Sequence, residues 1–301
     1  MIKFKTVELA DKQWMELLIK KANTGGSHIN FTNIFAWSQI FHYRVAKVDG
    51  FLAVKGRIQN DVHYYFYPAG QGDSETVIKL LKQDAADCGH DFLLLGLSLE
   101  NVDELKKLFP ESFVYKEMRD SFDYVYHLEK LVTLSGRKLH SKRNHIRRFV
   151  DKYNWKFEPI TSENLAECWE MNVLWCKENG CNDDKHLSNE DCAVRRCFKN
   201  FTELGLEGGL IRVDGNVIAY TMGEKLNSET YIIHIEKAFG KIQGAYQIIN
   251  REFAAHIQQK YPQLVYVNRE EDMGNEGLRK AKLSYYPEKF EEKFMAKYIK
   301  V

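Results

Sequence analysis

A short phrase that occurs twice constrains the fold of this chain more than any other feature. Residues 48–54 read VDGFLAV and residues 213–219 read VDGNVIA, each with an Asp-Gly pair between two strand-like runs. Asp-Gly suits the two positive-φ positions of a tight hairpin turn, so each phrase predicts a β-hairpin. The elements that follow also match. In the first half a strand at 63–67 leads through PAGQGD to a helix over 74–87 and a strand at 92–97. In the second, a strand from Tyr231 leads through AFGKIQG to a helix over 245–259 and a strand at 264–269. Each half then runs a short helix into a proline, Pro110 or Pro287, and the offset between matched elements drifts only from 165 to 177 residues. Helices precede both hairpins, around 11–20 and 33–41 in one half and 162–178 and 189–204 in the other. An internal duplication accounts for this order. It predicts an α/β (α+β) chain of two tandem domains, 1–132 and 153–301, joined by a basic helix over 133–152. Each domain is expected to be a mixed, largely antiparallel sheet flanked by helices.

Composition narrows the setting. With 44% hydrophobic and 28% charged residues the chain is an ordinary globular one. No apolar run approaches the roughly 18 residues of a membrane span, and the N-terminal MIKFKTVELADKQ has no apolar signal-peptide core. A cytoplasmic location is the resulting expectation. Five of the six cysteines lie between Cys168 and Cys197, but no C-x-x-C pair occurs. Cys192 and Cys197, five apart on an expected helix, do not share a face. No metal site is therefore expected, and the cysteines read as small buried hydrophobes in a reducing compartment.

The net charge of +1 hides a dense basic segment: residues 137–152 hold seven Lys or Arg against the single acid Asp151. Leu139, Ile146, Phe149 and Val150 give this segment a helical apolar stripe. Arg143, Arg147 and Arg148 on the remaining face could bind RNA phosphates or be solvated and paired with acids.

Chemistry is concentrated in 231–259, a strand, a glycine-containing turn and a helix. Alternation puts His234 and Glu236 on one face of the strand. Glu236 is the candidate general base, since a carboxylate partly buried at a strand end can take a proton from an attacking amine; an ion pair is the competing reading. Gly244 lets the backbone approach a ligand, and the helix start beyond it favours anions. Lys241, Gly244, Ala245 and Tyr246 are thus the expected donor-binding turn. Asn268, at the end of the next strand, could hold a substrate amide or polarise a carbonyl, or simply begin a loop. The charged run Arg269 to Asp272 follows on the side where open α/β sheets bind ligands. The equivalent first-half strand, HYYFYP, has no carboxylate where the second has Glu236, so catalysis is expected in the second half.

Three segments carry a family resemblance: GRKLHSKRNHIRRF at 136–149, HIEKAFGKIQGAYQIINREF at 234–253 and NREEDMGNEGLRKAKLSYYP at 268–287. Across essentially the whole chain the sequence resembles a bacterial family of unassigned function related to the C-terminal domain of phosphatidylglycerol lysyltransferases. The resemblance implies a tandem GNAT fold similar to that of the aminoacyltransferases that build peptidoglycan cross-bridges. It also implies transfer of an aminoacyl or acyl group from an activated donor to an amine or hydroxyl. Tyr285 and Tyr286 stand where many GNAT enzymes place a tyrosine acid for the leaving group. The GNAT acyl-CoA pattern is Arg or Gln, two residues, Gly, one residue, then Gly or Ala. Aligned on Gly244, this chain offers Lys241 first and Tyr246 last. The bulk of Tyr246 would crowd a CoA pyrophosphate, so aminoacyl-tRNA is the favoured donor over acyl-CoA. No tightly bound cofactor is implied, tRNA is the expected partner, and the acceptor is left open. The alternatives are an acyl-CoA-dependent N-acyltransferase and a non-catalytic RNA- or partner-binding module.

Overall fold

Both Asp-Gly pairs form tight turns with positive φ at each central residue, 45° and 84° at Asp49 and Gly50, 47° and 87° at Asp214 and Gly215. The computed structural model describes residues 2–299 apart from 59, 60 and 182. It divides into two units, one of residues 1–123, 271–275 and 290–301, the other of residues 124–270 and 276–289.

From the N-terminus, the first stretch of chain contains β1 (Lys5–Thr6), α1 (Lys12–Ala22), α2 (Phe31–Trp37), β2 (Arg44–Val48), β3 (Phe51–Ile58), β4 (Val62–Phe66), β5 (Ala69–Gly70), α3 (Ser74–Asp87), β6 (Leu93–Leu97), α4 (Leu99–Leu108) and β7 (Phe113–Glu117). There follow β8 (Asp123–His127), α5 (Leu128–Thr133), α6 (His140–Lys152), β9 (Trp155–Pro159), α7 (Leu165–Asn179), α8 (Lys185–Lys199), α9 (Phe201–Leu204), β10 (Glu207–Val213), β11 (Asn216–Lys225), β12 (Thr230–Ala238), α10 (Ala245–Lys260), β13 (Tyr266–Asn268), α11 (Glu276–Leu283), β14 (Lys289–Glu291) and β15 (Phe294–Tyr298). The expected α3 and the start of α10 match to the residue. The expected helix at 189–204 is α8 and α9, divided at Asn200.

Each sheet is mixed. The first runs β1-β2-β3-β4-β6-β15-β7, with β5 on β3, and the second runs β14-β8-β13-β12-β11-β10-β9. Each contains a parallel pairing, β4 with β6 and β12 with β13, among antiparallel ones. This is the predicted architecture, with a correction to the boundaries 1–132, 133–152 and 153–301. The last strand, β15, lies between β6 and β7 of the first sheet, while β8 pairs with β13 of the second. Burial explains the return of β15: Ala296 is fully buried in the first unit's core with Tyr65, Leu94 and Phe113. Lys293, just before it, puts its buried ammonium 2.7 Å from Asp123 Oδ1 and 3.1 Å from Ser27 Oγ. Breaking such a buried pair costs about 3–5 kcal/mol, which favours this strand assignment. The basic segment is not a free linker, because Ile146 and Phe149 of α6 are buried and α6 packs on α10 within the second unit.

The cysteine expectation is corrected in part. Cys176 and Cys181 form a disulfide at the end of α7, and Cys88 and Cys192 are exposed. Cys168 and Cys197 are buried as expected, and burial pushes both thiols up to about 12. Among the described residues no helix is long and apolar enough to cross a membrane.

Candidate functional site

The site lies where two parallel strands of the second unit separate. β12 and β13 pair only from Thr230 and Tyr266 to Ile232 and Asn268. Beyond that the chain after β13 follows β8 instead, with Arg269 N donating to Tyr124 O and Tyr124 N donating to Glu270 O. Strand β12 continues along β11 to Ala238. Side chains therefore bridge the widening gap where the backbone ladder has ended.

A β-bulge aims the first bridge. Met222 pairs with Ile235 and Gly223 with Ile233, which leaves His234 as the extra residue. Gly223 permits this close approach, since a Cβ there would lie 2.0 Å from Ile232 O. His234 Nδ1 is 2.8 Å from Glu270 Oε1 and Nε2 is 3.1 Å from Glu224 Oε1. Burial pushes the imidazole down, but hydrogen bonds and charge from Glu224 and Glu270 outweigh it and raise it to about 9. Both ring nitrogens then donate. A pKa raised on folding contributes stability that is fully present below the unfolded value of about 6.5 and is lost as pH rises through about 9. We predict that unfolding free energy falls by about 3 kcal/mol from this group between pH 6 and 10. Urea titrations across that range check it, and His234→Gln should remove that part of the decline.

The second bridge joins Glu236 to Arg269. Arg269 Nη2 donates to Glu236 Oε1 at 2.8 Å, and Asn250 Nδ2 of α10 donates to Oε2 at 3.2 Å. Both charged side chains are nearly buried, 12% and 11% exposed. The guanidinium lies against two rings, 5.6 Å from the Tyr126 centroid and 5.1 Å from that of Tyr285. Such contacts are worth about 0.5–2 kcal/mol each, more as water is excluded. Burial opposes the Arg269 charge, but Glu236 and the tyrosines hold its pKa above the ordinary arginine value. The neighbourhood is nevertheless incompletely paired: Arg269 Nη1 and Asn250 Oδ1 are buried without a hydrogen-bond partner among the described residues. From α6, Lys142 places its Nζ 4.2 Å from the Tyr285 centroid. Burial, and then the charge of Arg269, push the Lys142 amine down. Burial drives the Tyr285 hydroxyl well above its ordinary value, so it stays protonated at neutral pH.

Of the residues expected from sequence, Glu236 and Tyr285 meet around Arg269, whereas the others serve elsewhere. Asn268 is fully buried and its Oδ1 accepts from Glu270 N at 2.8 Å, so it shapes the loop, the blander of its two readings. Tyr286 is exposed and stacks under Lys138. Lys282 is buried with Nζ donating to the carbonyls of Arg269 and Glu270, which holds the diverging chain.

The donor turn is also redrawn. Gly244 has φ 92°, and a Cβ on it would lie 2.8 Å from His145 O and 2.9 Å from Phe149 Cβ. Glycine is therefore required there for α6 to pack against the start of α10. Ala245 is buried behind it, Tyr246 is half-buried beside Trp175 and the backbone of Ala238, and Lys241 pairs with Glu178 at 2.6 Å. In the basic helix, Arg143 donates to the carbonyls of Leu134 and Gly136 and so closes the turn after α5. Arg147 is 82% exposed beside Asp151, and Arg148 is exposed.

Sequence reasoning missed Arg269 as the partner of Glu236, the Glu224–His234–Glu270 bridge and Lys142. Only the pairing of His234 with Glu236 on one strand pointed toward the first two. Lys142 was hidden among seven basic residues.

Comparison with known proteins agrees with this architecture. A conserved protein of unknown function from Bacteroides thetaiotaomicron is 39% identical, with a TM-score of 0.93 over 99% of this chain and 100% of that one. A protein of Mycoplasmoides gallisepticum is 24% identical over 229 residues, 69% of this chain and 71% of that protein. L-PGS of Bacillus licheniformis is 14% identical with a TM-score of 0.65, over 96% of this chain and 92% of that one, and shares the fold. Two mixed sheets flanked by helices are the architecture that the resemblance implied. Residues 20–297 match the family described as phosphatidylglycerol lysyltransferase, C-terminal, and the chain belongs to that family.

Proposed function

We propose that this chain transfers an aminoacyl group, carried as an ester on tRNA, to an amine or hydroxyl acceptor at the Glu236–Arg269 pair. The carrying observation is a buried guanidinium whose Nη1 has no hydrogen-bond partner among the described residues, beside a carboxylate, at the point where β12 and β13 separate. The family's own description, a lysyltransferase, names aminoacyl transfer as its chemistry.

In this reading the acceptor's N–H or O–H attacks the ester carbonyl and gives its proton to Glu236, whose oxygens retain lone pairs beyond those used by Arg269 and Asn250. Arg269 Nη1 donates to the carbonyl oxygen as it gains negative charge, where a preorganised donor is most effective. The ester C–O bond breaks, and the protonated Tyr285 hydroxyl supplies a proton to the departing oxygen. Exposed Arg147 and Arg148 suit contact with RNA phosphates; Arg143, already engaged with two carbonyls, has a structural part.

Acyl-CoA is disfavoured because α6 covers the Gly244 backbone that a pyrophosphate would need to approach. A thermal-shift titration checks the donor. Aminoacyl-tRNA is expected to raise the melting temperature in a saturable, salt-sensitive way, and acetyl-CoA and longer acyl-CoAs to leave it unchanged. A saturable shift with an acyl-CoA, and none with charged tRNA, would overturn the choice of donor.

A further inference from the structure

We propose that Lys142, Arg269 and the ring of Tyr285 form a binding site for a phosphate group. Two cations converge on one aromatic ring, Lys142 Nζ at 4.2 Å and Arg269 Cζ at 5.1 Å from its centroid. Glu236 is the carboxylate bonded to Arg269, and Lys142 makes no hydrogen bond or ion pair among the described residues. The cluster therefore carries one more positive charge than negative on side chains at least half-buried, where an unbalanced cation is costly.

Three features fit an anion as the missing partner. Arg269 Nη1 is a buried donor without an acceptor among the described residues, and of its two N–H groups one can serve a phosphate oxygen while the other serves the carbonyl oxygen of the transfer. Lys142 is a mobile ammonium on a flexible stem with three donors, a common phosphate ligand. The two side chains come from different elements, α6 and the chain after β13, so one oxyanion can accept from both. A carboxylate offers two oxygens in a plane, and on Glu236 one is taken by Arg269 and the other by Asn250. A tetrahedral phosphate has oxygens left for the second cation. A further cation, Lys138, lies over the ring of Tyr286 next along the chain, 5.1 Å from its centroid.

This inference deepens the proposed transfer and rests on it only for which molecule brings the phosphate, the nucleic-acid end of the donor or a phosphorylated acceptor. Phosphate binding itself does not depend on turnover. The test is isothermal titration of the full chain with inorganic phosphate, AMP, glycerol 3-phosphate and acetate, on wild type, Lys142→Met and Lys138→Met. Saturable binding of phosphate compounds is expected, weakened at least 10-fold by Lys142→Met, less changed by Lys138→Met, with acetate much weaker. AMP tighter than glycerol 3-phosphate assigns the nucleotide source, and the reverse order assigns the acceptor. Absence of binding by every phosphate compound, binding unaffected by Lys142→Met, or acetate binding as tightly as phosphate would overturn the proposal. Circular dichroism of Lys142→Met guards against loss of fold, and Lys142→Arg should retain binding. If phosphate binds as described but Glu236→Gln does not alter transfer, the transfer mechanism fails and the phosphate site stands.

Discussion

Replacing Glu236 with glutamine is expected to lower the rate of aminoacyl transfer by roughly 10²-fold or more while the protein remains folded. Glutamine nearly preserves shape and keeps an oxygen for Arg269. Its amide N–H₂ can donate to Asn250 Oδ1, which lacks a partner among the described residues. What it removes is the negative charge that balances a guanidinium only 12% exposed. Stability should therefore fall by about 1–3 kcal/mol, the range for losing a charge-assisted hydrogen bond. Glu236→Leu, which leaves the guanidinium unpaired, should cost about 3–5 kcal/mol. Single-turnover transfer and urea unfolding on the same preparations separate the two effects. Loss of the ascending limb of the pH–rate profile in Glu236→Gln would identify the carboxylate as the base; a lower rate with that limb intact would leave it the part of positioning Arg269. A folded variant with an unchanged rate removes Glu236 from the mechanism.

Gly244→Ala is expected to destabilise the second unit by about 2–6 kcal/mol, from two independent causes. At φ 92° an L-residue is strained by roughly 1–3 kcal/mol. Its methyl group would also lie 2.8 Å from a backbone oxygen of α6, which cannot move aside as a flexible side chain would. Overpacking of this kind adds about 1–3 kcal/mol. The outcome decides what the glycine is for. A fully stable variant that had lost donor binding would restore the ligand-approach reading of this turn. A large fall in melting temperature without ligand supports the packing reading.

Much of the second unit was legible because its signals are local. Asp-Gly pairs specify tight hairpin turns through backbone sterics alone. Apolar spacing over residues 245–259 marked α10, and its start at Ala245 followed from Gly244, which is positive in φ and caps the helix. Alternation placed His234 and Glu236 together, although the bulge at His234 was silent in the sequence and sets the direction of its imidazole. Gly244 shows the limit of such reading. The need for glycine was visible, but a close ligand and a close helix impose the same need.

The sequence by itself determined the duplicated order of elements, the two hairpin turns and the asymmetry by which an acid occupies only the second strand–turn–helix. These depend on residues within about twenty positions of one another, where backbone preference and periodicity act directly. Tertiary structure alone decided that β15 completes the first sheet and β8 joins the second, that Arg269 neutralises Glu236, and that Lys142, of seven basic neighbours, faces Tyr285. Strands of similar pattern can fill either sheet, and any arginine can pair with any carboxylate. Their selection comes from the cost of burying a charge or an unpaired strand edge, which exists only once distant segments have packed together.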